Sequence, residues 1–177
     1  MDDTPVGRLV AGLASMLAVI GGAALVVVVL ITVVSVSGRA LIPLGFSPVP
    51  GDYEIVQAGV LFAIFCSLPI TQYHRGHADV SLLTDLFPAR IAAIIEFVMD
   101  LLMLAATLFI VWRFTIGMLD KLGNREVTLI LHMPVWWTYA AAMLGAVGMA
   151  IVSAYCVVRS LLNATSSTPQ KPEPGIF

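Results

Sequence analysis

LVAGLASMLAVIGGAALVVVVLITVVSV, residues 9–36, contains no Asp, Glu, Lys or Arg. A helix crossing the hydrocarbon layer needs roughly 20 apolar residues, so this run from Leu9 to Val36 is long enough to span a membrane with residues to spare. It is about twice the length of a signal-peptide core and has no small-residue cleavage site cutting it early, which predicts a retained helix. Three more apolar runs follow, Ile55 to Ile70, Ile91 to about Ile116, and Val135 to Val158. Backbone groups in lipid must be satisfied within the segment, and Ala- and Leu-rich runs of this length do that as helices.

The composition agrees with those runs. Of 177 residues, 59% are hydrophobic and 11% charged, with a mean hydropathy of +0.98, which excludes an ordinary water-soluble domain and a disordered chain. Nine basic residues against eleven acidic ones give a net charge of -2 and leave no cationic excess for nucleic acid. The expected fold is an all-α integral membrane protein with four transmembrane helices, over about 9–37, 53–74, 90–118 and 134–160, within one membrane domain, 1–162. No room is left for a separate soluble catalytic domain.

The segments between the runs are punctuated. Pro43, Gly45, Pro48 and Pro50 block a helix between Gly38 and Gly51 and predict an ordered connector. From 79 to 87 the apolar Val80, Leu82, Leu83, Leu86 and Phe87 gather on one side of a helical wheel, opposite Ser81, Thr84 and Asp85. That pattern predicts a short interfacial amphipathic helix, capped near Asp79 and stopped by Pro88. Around Gly123 a polar turn with Asp120, Lys121, Asn124, Arg125 and Glu126 ends the third helix, and the short apolar stretch Val127 to Leu131 is expected to rest at the interface too. Pro134 opens the fourth helix. Tyr53 and Tyr73 flank the second run, and Trp136, Trp137 and Tyr139 begin the fourth, as aromatics at headgroup level do; Arg90 is a further lipid-interface candidate. Residues 163–177, with three prolines and a Ser/Thr cluster, read as a disordered cytoplasmic tail. With the N-terminus inside, Arg8, Arg75, Arg90, Arg159 and Lys171 lie inside, and Arg39, Arg113, Lys121 and Arg125 outside; the small excess favours this orientation.

Few residues offer chemistry. Asp100 stands ~15 Å beyond Arg90 along the third helix, placing it near the bilayer middle, where a charge costs on the order of 3 kcal/mol. Glu96, Met103 and Thr107 share its stripe, so this face meets a partner or the bundle core, with Asp100 protonated or paired to a basic or hydroxyl group. A proton or cation site and a packing contact are both open, the second being the commoner use. His74, His77 and His132 raise the thought of haem, but four-span topology puts His132 a membrane thickness from the other two. Cys66 and Cys156 lie in apolar runs and read as packing residues. No nucleophile elbow, phosphate loop or metal spacing occurs. No catalytic residue, metal or cofactor is expected. Small residues recur at four-residue spacing, as Ala14, Ala18 and Gly22 and as Ala142, Ala146, Ala150 and Ala154, which suggests close helix contacts.

Several of these marks occur in an order that resembles the small membrane subunit, DctQ-like, of tripartite ATP-independent periplasmic (TRAP) transporters. They are Arg39 after the first helix, Gly51-Asp52-Tyr53-Glu54 at the start of the second, Arg75-Gly76-His77 after it, Pro88 before the third, and Glu126 and Pro134-Val135-Trp136 before the fourth. The chain departs from the family where an aromatic often follows that arginine, having Ala40, and in a last helix without proline. The resemblance implies a multi-pass protein of the bacterial inner membrane with both termini cytoplasmic. It also implies a large membrane subunit carrying substrate and sodium sites, a periplasmic solute-binding protein, and sodium-driven symport of an organic acid. No substrate site is expected on this chain. Arg39, Glu54, Arg75, Gly76, His77, Glu96, Asp100, Glu126 and Pro134 are the structural or subunit-interface candidates. A membrane anchor of a respiratory oxidoreductase and a small proton-coupled exporter are the alternatives.

Overall fold

Each long apolar run forms one helix in the computed structural model, which describes residues 5–74 and 89–165. The helices are α1 (Pro5–Ala40), α2 (Asp52–Tyr73), α3 (Ala89–Gly123) and α4 (Trp136–Thr165). All four are long and apolar enough to cross a membrane. The interfacial helix expected over 79–87 lies outside the described residues, as do Arg75, Gly76, His77 and the tail beyond 165. The stretch 127–131, expected at the interface, is not helical: it is a turn closed by an isolated antiparallel bridge between Val127 and Pro134. Pro134 stands ahead of α4, where its carbonyl accepts the N–H of Trp137 at 3.1 Å.

The connector between α1 and α2 is ordered by its prolines and glycines. A single 3-10 turn, Ile42–Leu44, follows α1 and closes on Gly45, whose φ of 89° only glycine adopts without strain. Gly51 repeats the device at the start of α2 with φ 73°.

The buried residues of α1 are Gly7, Val10, Ala14, Leu17, Gly21, Val28, Ser35 and Gly38. Gly7, Ala14, Gly21, Val28 and Ser35 are seven apart, a heptad seam rather than the expected four-residue stripe. Ala14 is buried, Ala18 is half-buried and Gly22 is exposed. The reason is geometric: a four-residue step overshoots the helix turn by about 40° each time, whereas a heptad drifts by only about 20°. The same correction applies to α4, where Ala142 and Ala146 are buried, Ala150 is half-buried and Ala154 is exposed. Ala142, Met149 and Cys156, with Ala146, Ser153 and Ser160, form its seam instead.

The seams set the arrangement. Helix α2 lies between α1 and α4, α3 packs on the far side of α4, and α1 touches α4 only lightly. Gly21 brings α1 against α2, where an added Cβ would stand 2.9 Å from the Cys66 Cβ. Gly145 brings α4 against the α2 backbone at Phe65, with room for no side chain. Pro69 removes the N–H that would have bonded the Phe65 carbonyl inside the helix, so the chain is locally bare where Gly145 approaches. Val10, Ala14, Val152 and Cys156 form the core cluster, with Ile70, Tyr73 and Tyr155 packed against it. From α2 to α3 the contact is aromatic, Phe65 to Phe114, with ring centroids 4.8 Å apart.

Candidate functional site

The polar groups gather at the two ends of the bundle. Successive helices run in opposite directions, so the 41–51 connector and the 124–135 turn share one end, the loop face. The start of α1 and the end of α4 share the other, the terminal face.

At the loop face two carboxylates in the first turn of α2 face different neighbours. Asp52 accepts a hydrogen bond from the Ser35 hydroxyl at 2.5 Å and one from its neighbour's N–H, that of Tyr53, at 2.8 Å. Arg39 reaches the same carboxylate at 3.4 Å while remaining mostly solvent-exposed. Ser35 is the last heptad residue of the α1 seam and is fully buried, so this contact fixes the α1–α2 register where the helices would otherwise splay.

Glu54 turns the other way. Its carboxylate accepts the backbone N–H of Ile130 at 2.8 Å and of Leu131 at 3.0 Å, pinning the turn between α3 and α4 to α2. Leu131 closes the joint by packing its side chain over Gly51, which has no Cβ to obstruct it. Lys121 and Glu126 bind each other at 2.8 Å across the base of the same turn, and the Glu126 carbonyl accepts the N–H of Val135 at 3.0 Å. Two residues of this turn, Arg125 at φ 51° and His132 at φ 54°, occupy the left-handed region that side chains disfavour. Such strain persists only where surrounding contacts over-determine the backbone.

Toward the terminal face, Asp100 is buried, 7% exposed, and accepts a hydrogen bond from the Ser160 hydroxyl of α4. The Ser160 hydroxyl also lies 2.7 Å from the Cys156 carbonyl, so its one proton is shared between the carboxylate and its own helix. Ala93 and Thr107, one heptad to either side of Asp100, are buried too, and Glu96 is half-buried on the same face. The stripe therefore faces α4 rather than lipid. Ser160 lies ~36 Å along α4 from Trp136, more than the ~30 Å hydrocarbon thickness.

Among the other candidates, Tyr73 stacks on Tyr155 with ring centroids 6.5 Å apart and its hydroxyl reaches the Gly7 carbonyl at 3.5 Å. His74 sits edge-on to Tyr73, and His132 is at the loop face, with its ring at 3.1 Å from the Ile130 carbonyl. Those two histidines stand at opposite ends of the bundle. Tyr53 and Trp137 are exposed at the loop face, Trp136 sits edge-on to Trp137, and Tyr139 packs on Phe114. The Arg90 side chain lies outside the described residues. Cys66 and Cys156 are buried thiols. Three clamp residues went unnoticed as site candidates: Ser35, Asp52 and Ser160. The heptad position of Ser35 was the available signal for it; Ser160 had none until its neighbour was known.

The class these features define is a four-span membrane protein whose polar groups tie its helices to one another. The family model for tripartite ATP-independent periplasmic transporters, DctQ component, matches residues 28–163. The chain belongs to this family: it is the small membrane subunit of a TRAP transporter, a transporter component and not an enzyme. Transporters of this family are tripartite, the other parts being a large membrane subunit and a periplasmic binding protein. Searches of curated proteins and of solved structures find no match.

Proposed function

We propose that this subunit is a rigid frame for the large membrane subunit during sodium-driven uptake of an organic acid delivered by the periplasmic binding protein. Both of its termini then face the cytoplasm across a bacterial inner membrane. The observation that carries the reading is the use made of the carboxylates. Asp52 is engaged by Ser35, Glu54 by two backbone N–H groups, Glu126 by Lys121 and Asp100 by Ser160, each joining two parts of this chain. Carboxylates spent on ties between helices and turns stiffen a bundle; a sodium or substrate site needs oxygens converging on a shared space. A recess between α2, α3 and α4, lined by Phe65, Leu68, Met103, Thr107, Ile110 and Met149, is apolar and unsuited to an organic anion.

Length supports the same role. Helices α1 and α3 are ~54 and ~52 Å long, well over the hydrocarbon thickness, so they tilt or project beyond it and widen the footprint of the assembly. A transport domain that moves through the membrane needs such a fixed neighbour.

The test is to tag the chain, extract it from native membranes in mild detergent and identify stoichiometric partners by mass spectrometry. The complex is then reconstituted with the binding protein, and uptake of a labelled organic acid is followed under a sodium gradient. Copurification of the large subunit, and uptake that needs all three parts, is the expected result. Uptake by this chain alone, or its recovery only as a homo-oligomer, overturns the proposal.

A further inference from the structure

We infer that the 127–133 turn is a lipid-embedded anchor, with Leu129 and Ile130 entering the headgroup–acyl boundary at a depth set by Glu54. The inference rests on the membrane-spanning fold and not on what is transported.

Three observations lead to it. The first is exposure: Leu129 is 92% exposed at the tip of the turn, and Val127, Ile130 and Met133 are exposed beside it. Such a cluster projecting into water is costly, at roughly 25 cal/mol per Å² of apolar surface.

The second is depth. At 22 residues α2 is ~33 Å long, which only just matches the ~30 Å hydrocarbon layer, so its two ends mark the two interfaces. Glu54 is in its first turn, and the Ile130 and Leu131 amides bonded to Glu54 are held at the same level. The turn therefore doubles back from the end of α3 to the membrane surface instead of rising away from it. Tyr53 beside Glu54 and Trp137 at the start of α4 are both exposed at this level, as interfacial aromatics are.

The third observation is the backbone, which is prepared for lipid. Backbone polar groups entering lipid must be satisfied internally, and four N–H groups of this turn are bonded within the chain. Ile130 and Leu131 donate to Glu54, Thr128 donates to the Met133 carbonyl at 2.9 Å, and Met133 donates to the Thr128 hydroxyl oxygen at 3.1 Å. The Ile130 carbonyl has the His132 ring at 3.1 Å. This closure lowers the cost of bringing the turn into the headgroup–acyl boundary. The left-handed His132 is the local cost of closing it.

The test uses the complex with the large subunit, in phosphatidylcholine–phosphatidylglycerol nanodiscs. Cys66 and Cys156 are replaced by Ala, and L129C or, as a polar reference, N124C carries an environment-sensitive fluorophore. Blue-shifted emission at 129, quenching by spin labels placed high on the acyl chain, and protection from iodide, with the opposite pattern at 124, is the expected result. Iodide quenching at 129 equal to that at 124 overturns the inference in favour of water. Insensitivity to spin-labelled lipid that disappears when the large subunit is removed overturns it in favour of a protein contact. With E54A added, the label at 129 is expected to lose its blue shift and gain iodide access; an unchanged depth overturns the role given to Glu54.

Discussion

The Glu54 carboxylate accepts the backbone N–H of Leu131 at 3.0 Å across 77 residues of sequence. Because the Ile130 N–H completes a two-pronged grip on the same carboxylate, the α3–α4 turn is fastened to the first turn of α2, with which neither helix end is continuous. The large separation makes this tie a consequence of the whole fold, and it converts a loop into part of the bundle.

Hydrogen exchange reads that grip directly. In E54A the Ile130 and Leu131 amides lose their acceptor and are expected to exchange faster, while amides in the middle of α2 keep their protection. E54Q retains one amide oxygen and falls between the two. Equal exchange in E54A and the parent chain contradicts the assigned contact.

At the terminal end the Asp100–Ser160 tie is buried, so breaking it is felt in stability. S160A leaves a buried carboxylate without this hydroxyl and is expected to cost about 1–3 kcal/mol, measured by denaturant unfolding in lipid–detergent micelles. Pairing S160A with D100N in a double-mutant cycle isolates the contact, with a coupling energy of about 0.5–3 kcal/mol expected for touching residues. D100A is expected to weaken assembly with the large subunit and to leave the sodium dependence of uptake unchanged. Normal assembly with an altered sodium dependence defeats the frame reading.

Glycine substitutions separate close contacts from open surface. G145A puts a methyl group into the Phe65 backbone, an overpacking expected to cost about 1–3 kcal/mol. G22A meets nothing within 4 Å, so it is expected to be neutral or to stabilise by up to about 1 kcal/mol through helix propensity. Unfolding curves of the two variants under one set of conditions decide the matter; equal stability refutes the packing assigned to Gly145.

The α1–α2 register depends on Ser35 more than on Arg39. Ser35 is fully buried against Asp52, whereas Arg39 is exposed and reaches the same carboxylate at a longer distance. S35A is expected to lower the Tm clearly and R39Q only slightly, since exposed ion pairs contribute little. High salt erases what remains of the R39Q effect; a larger shift for R39Q than for S35A reverses the assignment.

Four charge-poor runs fix four helices in the sequence itself, because lipid leaves the backbone no other way to satisfy its hydrogen bonds. The same logic made Asp100 conspicuous: a carboxylate in such a run must find a partner. Which partner it finds is decided by the antiparallel packing of α3 on α4, which sets Ser160 beside it. The four-residue alanine pattern misled for a related reason. Local spacing records which residues are small, while burial depends on how a helix twists against its neighbour over several turns, and that selected heptads. Glu54 shows the difference most plainly. Its charge and its place in the first turn of α2 are in the sequence; that its partners are the backbone amides of a distant turn follows from tertiary structure alone, since backbone N–H groups carry no sequence signature and become specific partners only when the fold brings them within reach.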